Sequence, residues 1–428
     1  MSLLDILMIV IRVAFSAFIP LCFIAVCVWM ERRGAGFFQD RSGPNRAHIF
    51  GFRAAGLVQN LADAVKLIFK EDIISAHIRH KFFFVLAPLI VFFTALVSFG
   101  VVPFADTLVL GDKHYIMQGI PLDLGILWFL ALAGFGVYGI ILAGWSSTNK
   151  YGILGGLRSA AQVISYEIPM GLAIISLLVI YGSVNLNEMV HYQGGFLFGF
   201  IPKWGAILQP LGLIIFVVAA FAETNRTPFD LAEGESEIVA GFHVEYSAMK
   251  FAVFFMGEYV ALFVSSAIII TLYFGGYQVP FLRTETLVAN AKPVAFILMV
   301  LLPVCMKIFA AWIRRSNISH YPREKDPRVF EGEVYIKCFW GLIIFLELLL
   351  LFILFADSGG SLARIFVAII QVCTFLLKVT MMIFVYIWVR WTLPRFRYDQ
   401  LQKLGWQMLL PLALLNIFIT SAFVVALS

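Results

Sequence analysis

The chain of 428 residues reads as an all-α, polytopic transmembrane helical bundle of about ten spans, with an amphipathic interfacial helix and an acidic cytoplasmic loop. Two observations carry that reading. It is 61% hydrophobic and only 13% charged, whereas soluble domains are about 25% charged. Apolar runs of about 20 residues also recur along it, each long enough to cross roughly 30 Å of hydrocarbon as a helix. A membrane barrel would show segments of about ten residues with alternating polarity instead.

The first apolar run, 5–29, is too long for a secretory signal and lacks a small-x-small cleavage site; it stops at Glu31-Arg32-Arg33, a stop-transfer pattern. Near 54–70, Leu57, Leu61, Ala64, Val65 and Ile68 share one helical face, opposite Gln59, Asp63, Lys66 and Lys70. A helix of that length and polarity lies along the membrane surface rather than crossing it. Further spans are expected at 82–104, 122–145, 157–181, 205–223, 248–274, 294–313, 337–356, 364–389 and 406–427. An exposed polar linker, Ile313–Lys337, separates two of them.

Lys and Arg set the orientation. With the segment after span one cytoplasmic, that side collects Arg32, Arg33, Arg41, Arg46, Arg53, Arg158, Arg314, Arg315, Arg390 and Arg395, among others. The opposite loops hold only Lys113, Lys203, Arg283, Lys292 and Arg364. Both termini then face the periplasm across a bacterial inner membrane.

Against this trend, the cytoplasmic loop 224–247 and its flanks are acidic. Glu223, Asp230, Glu233, Glu235, Glu237, Glu245 and Glu258 fall in one stretch, with Arg226 and Lys250 as its only Arg and Lys. Holding a carboxylate at mid-membrane costs roughly 2.5–3.5 kcal/mol on insertion scales, so such groups are kept for use. Glu167, two residues before Pro169, is a further acid inside a span, near a helix kink that frees a carbonyl. Burial suits these acids to a proton relay, and crowding couples the loop acids to one another. Thr227-Pro228-Phe229-Asp230 reads as a helix start, with Thr as cap and Pro in the first turn. Lys307, Glu347 and Lys378 fall inside later spans, where mutual pairing is expected.

The five cysteines are scattered through apolar runs and the seven histidines form no ligand pair. No FMN, iron–sulfur cluster or metal is therefore expected on this chain.

ERRGAGFFQDRSGPNR, GLVQNLADAVKLIFKED, AQVISYEIP, AETNRTPFDLAEGESEIVAGFHVEYSAMKFAVFFMGEY and VRWTLPRFRYDQL, in that order from Glu31 to Leu401, resemble the signature blocks of one family. It is the quinone-chamber membrane subunit of respiratory complex I, subunit 1 of the mitochondrial enzyme and the H subunit of the bacterial one. The resemblance implies a protein that lines the tunnel for ubiquinone or menaquinone and begins a proton path toward antiporter-like membrane subunits, beside soluble iron–sulfur partners. It implies that Glu31 and Arg32 border the tunnel at the end of helix one, with Asp63 on the interfacial helix. Arg226, Phe229, Arg390 and Arg395 would also lie at the tunnel. Glu167, Glu223 and Glu258 would be the intramembrane carboxyls, and Asp230, Glu233, Glu235, Glu237 and Glu245 the loop acids of the same path.

Two departures stand out. The family usually has eight spans, so 1–282 and 364–428 correspond to its core and 283–363 adds two. Asn60 replaces a common proline in the second block. Two other classes share some of these features: the homologous component of an ion-pumping membrane-bound hydrogenase or formate hydrogenlyase, and a stand-alone proton-coupled transporter. The AETNR block and the GPNR turn favour the quinone enzyme over the first. The lack of an internal repeat counts against the second.

Overall fold

A computed structural model describes residues 3–320, 327–354 and 360–427. Its long helices follow the apolar runs: α1 (Leu3–Phe38), then the interfacial α2 (Leu57–Phe69), α3 (Lys81–Ser98), α4 (Gly125–Ser146) and α5 (Lys150–Tyr181). Short elements follow in α6 (Leu186–Gln193), α7 (Gly205–Leu208), α8 (Pro210–Glu223) and α9 (Glu235–Ile238). Then come α10 (Ala248–Tyr273), α11 (Thr284–Ala289), α12 (Ala291–His320), α13 (Pro327–Leu354), α14 (Ser361–Thr392), α15 (Tyr398–Lys403) and α16 (Leu410–Leu427). Strand pairing among the described residues is limited to two short hairpins, Leu108–Leu110 with Lys113–Tyr115 and Phe196–Leu197 with Ile201–Pro202, and one isolated bridge between Ile49 and Phe52.

Among the described residues, nine helices are long and apolar enough to cross a membrane. The expected span at 205–223 is not one of them. It breaks at Gln209 because Pro210 has no N–H to continue a helix and instead starts α8, which is only 14 residues long. The expected polar linker shrinks too, since α12 runs on to His320; residues 321–326 lie outside the described residues.

The centre of the bundle is α10. Of its most apolar window 72% is buried inside the protein, against 11% for α1 and α13, so α10 is the axis on which other spans pack. Phe263, Ile268 and Leu272 of α10 meet Leu177 of α5, Phe216 of α8 and Phe375 of α14, all sealed from solvent. Helices α4 and α5 cross closely because Gly144 faces Gly152; a Cβ on Gly144 would sit 2.5 Å from the Gly152 carbonyl oxygen. Helices α12 and α13 pair with each other through smaller apolar clusters at the flank.

Lys378 departs from expectation. Among the described residues it pairs with no carboxylate in a span but donates to the carbonyl oxygens of Phe274 (2.8 Å), Gly276 (3.0 Å) and Gln278 (2.8 Å). The end of α10 presents carbonyls without helical partners, and a cation satisfies both their lone pairs and the negative end of the helix dipole.

Candidate functional site

The end of α1 and the acidic loop meet at Glu31. Glu31 is buried, and its carboxylate accepts hydrogen bonds from Arg226 (2.9 Å) and the Tyr259 hydroxyl (3.0 Å) while pairing with Arg390 at 2.7 Å. Arg226 also lies over the Tyr259 ring, 4.3 Å from its centre, where the face of the ring attracts a cation. A buried charge persists only when paired and hydrogen-bonded, so this knot locks α1, the loop, α10 and α14 into one geometry. Beside it Arg32 pairs with Asp63 of α2, and Asn60 donates to the Ala25 carbonyl at 2.9 Å. These two contacts hold the interfacial helix against the first span. Leu57, Leu61, Val65 and Ile68 remain exposed along α2, as a face turned to lipid requires.

The loop is folded rather than solvated. Leu231 and Ala232 are fully buried, and a Cβ on Gly155 of α5 would collide with the loop backbone at Phe242 N (2.7 Å) and Ala232 O (2.8 Å). Gln162 of α5 supplies the backbone partners, donating to the carbonyls of Ala222 (2.6 Å) and Phe229 (2.8 Å). The Phe396 N–H takes the Pro228 carbonyl at 3.0 Å. With those carbonyls engaged by other elements, the helix start expected at Thr227–Asp230 does not form. The first helical residues come later, at Glu235–Ile238. Phe229 is buried between Tyr166 and Phe396, with ring centres 5.6 and 5.5 Å away.

The loop acids divide by partner. Asp230 is bound by Arg395 at 2.6 Å. Burial and the negative charge of Glu233 still push Asp230 up to about 7, against the pull of Arg395 and Arg390. Glu233 keeps its charge: burial would raise it, but His243, a hydrogen bond from Glu258 and the charges of Arg226 and Arg390 hold it low. Burial in turn pulls His243 below the ordinary imidazole range, against the opposing charge of Glu233. Ligand-capable atoms of Glu233, His243 and Glu258 lie within 4.8 Å of one another, close enough for proton exchange among carboxyl, carboxylate and imidazole. Glu237 pairs with Arg158 at 2.8 Å. Glu245 stands apart from this group, held by Ser75 and Asn149, each at 2.9 Å, and facing His77 at 3.5 Å. The side chain of Glu235 lies outside the described residues.

Below the loop, Glu223 and Glu258 line one cavity of about 80 Å3 between α3, α4, α5, α8 and α10. Thr94, Ser98, Thr224, Asn225 and Ser265 add polar groups to its wall. By volume it can hold several waters. Glu223 Oε2 is buried there without a hydrogen-bond partner among the described residues. Glu167 lies close enough for its charge to act on Glu223, and its Oε1 rests against Gly134 of α4, 2.5 Å from where a Cβ would stand. Glu223 and Glu258 thus share one cavity, with Glu167 on the Glu223 side.

Tyr259, His243 and Gly134 were not singled out by sequence reasoning, and Gln162, expected as a hydrogen-bonding neighbour of Glu167, serves the loop carbonyls of Ala222 and Phe229 instead. Tyr259 and His243 lie inside the acidic block, and Gln162 lies in the segment containing Glu167. Gly134 carries no local signal at all.

Fold and site together define a polytopic helical membrane protein with a chain of carboxyls running from a sealed loop into its core. The profile described as "NADH dehydrogenase" matches residues 10–323 and 332–421, and the chain belongs to that family. It is 39% identical over 403 residues to the H subunit of the NADH-quinone oxidoreductase of Salinibacter ruber, covering 94% of this chain and 91% of the relative. It is 41% identical over 397 residues to NADH-quinone oxidoreductase subunit 8 of Rhodothermus marinus, covering 92% and 91%. The H subunit of the NADH-quinone oxidoreductase of Bdellovibrio bacteriovorus is 36% identical over 422 residues, covering 94% and 92%.

Proposed function

We propose that this chain is the quinone-chamber membrane subunit of a proton-translocating NADH-quinone oxidoreductase. One observation carries the reading: Glu31, at the α1–α2 junction, is bound by Arg226 and Arg390, whose charges also act on Glu233, and Glu233 clusters with Glu258 of the central cavity. Arg226 and Arg390 bind Glu31 and their charges act on Glu233, whose carboxylate lies within 4.8 Å of ligand atoms on Glu258 and His243. Quinone, ubiquinone or menaquinone, enters between α1 and α2. It takes two electrons from an iron–sulfur partner subunit and two protons to become quinol, with no prosthetic group on this chain.

The protons drawn into the chamber change the charge facing Glu31, Arg226 and Arg390. That change alters how Asp230, Glu233, Glu237 and Glu258 share protons, and Glu223 and Glu167 pass the effect toward the antiporter-like membrane subunits. Phe229 and Arg395 hold the loop in register. Glu245 and Glu235 belong to the same acidic stretch, Glu245 fastening its far end. The segment 283–363 is an added pair of spans. With the broken α7–α8 segment taken as a tenth crossing, the chain sits in the bacterial inner membrane with both termini periplasmic and the loop cytoplasmic, facing the soluble partners.

A photoreactive quinone with a long tail tests this reading on the intact complex. Labelling of peptides containing Arg32 or Asp63, displaced by excess quinone, is expected. Labelling confined to other subunits, or not displaced, contradicts it.

A further inference from the structure

The backbone just before α2 is held in an unfavourable shape from two sides. Ala54 and Ala55 have φ of 50° and 51°, and Gly56 follows at 99°. Alanine avoids the left-handed region because its Cβ crowds the following carbonyl. Two alanines in succession there persist only when the surroundings impose it.

The imposing groups come from opposite ends of the chain. From α1, Trp29 Nε1 (3.0 Å) and Arg33 Nε (3.0 Å) donate to the Ala55 carbonyl. From α13, the Tyr335 hydroxyl accepts from the Ala55 N–H at 2.8 Å. Glu331, buried on the same helix, accepts from the Arg53 N–H (3.1 Å) and pairs with its guanidinium (3.2 Å). Phe52 packs on the Tyr335 ring, with centres 5.5 Å apart. A single residue is therefore clamped between the first span and a helix of the added pair, one position before the glycine that starts α2.

We infer that α13 is a strut for the substrate gate: Glu331 and Tyr335 are positioning residues that set where α2 begins, and hence the gap that admits a long-tailed, membrane-dissolved quinone. This rests on the reading of α2 as the entry wall. Without the strut, residues 54–56 relax toward ordinary right-handed geometry and the N-terminus of α2 shifts along α1. A short-tailed, water-soluble quinone is less affected, since little of it remains in the gap once its head group has passed.

The test uses the intact complex carrying Tyr335→Phe, which removes one hydroxyl and keeps the ring on Phe52. Glu331→Gln, which keeps an acceptor, serves as the second variant should the first fail to assemble. Peptide-resolved hydrogen exchange over residues 49–57 and the KM and kcat for a long-tailed and a short-tailed quinone are measured. Exchange faster by about tenfold, with the long-tail KM up severalfold and the short-tail kcat within about twofold of wild type, is expected. Unchanged exchange overturns the strut. Faster exchange with both KM values unchanged leaves the strut standing and overturns α2 as the entry wall. An equal loss for both quinones overturns the gate.

Discussion

Arg226 brings its guanidinium 2.9 Å from the carboxylate of Glu31, joining the acidic loop to the end of the first span 195 residues away. The pair is sealed from solvent, and Arg390 shares the same carboxylate. Breaking a buried pair strands its partner, at a cost of roughly 3–5 kcal/mol. Glu31→Ala, which strands two arginines, should lower stability by about that much, and Glu31→Gln, which keeps an acceptor without the charge, by less. Thermal unfolding of the purified complex ranks the three proteins; equal midpoints for wild type and Glu31→Ala contradict the pairing.

Gly134 faces Glu167 so closely that any side chain displaces the carboxylate. The obstructed atom is the free end of a flexible side chain, so Gly134→Ala should fold normally while turning Glu167 away from Glu223. Turnover coupled to proton transfer should fall severalfold, with electron transfer to artificial acceptors unchanged. Wild-type coupling in this variant removes Glu167 from the path.

Asp230 sets a pH dependence with a definite sign. Burial and Glu233 raise it from 3.8 to about 7. A carboxyl raised on folding contributes stability below its unfolded value and loses it as pH rises through the folded one. The wild type should therefore lose stability relative to Asp230→Asn as pH rises from about 4 to about 8, with little further change above that. Parallel melting curves across that range contradict the assignment.

Lys378 satisfies three carbonyls at the end of α10. Lys378→Met keeps the length and apolar bulk of the side chain but leaves those oxygens without their donor. An unsatisfied buried polar group costs roughly 1–3 kcal/mol, and the loss should appear as a lower unfolding midpoint with catalytic constants little changed. An unaltered midpoint contradicts the capping role.

Long apolar runs made the spans legible, because crossing hydrocarbon demands about 20 apolar residues whatever the neighbours are. The amphipathic face of α2 was legible for the same reason, since Leu57, Leu61, Val65 and Ile68 answer to lipid. The acids were legible through their cost in apolar surroundings. What stayed hidden depends on contacts between distant segments. Pro210 interrupts a run whose hydropathy alone spans the membrane. Lys378 finds carbonyls rather than a carboxylate, because the end of α10 comes to it only in the folded bundle. The Thr227–Asp230 segment carries good capping residues, yet Gln162 and Phe396 take its carbonyls first. Gly134 matters only because Glu167 lies opposite.

The central claim is that Glu223 and Glu258, sharing one cavity, carry protons set in motion at the chamber. The ratio of protons pumped to electrons transferred, measured in proteoliposomes for Glu258→Gln and Glu223→Gln, tests it most directly. The account predicts that both variants assemble and accept electrons normally, while this ratio or the rate of quinone turnover falls sharply. Full pumping at wild-type quinone turnover in both would contradict it.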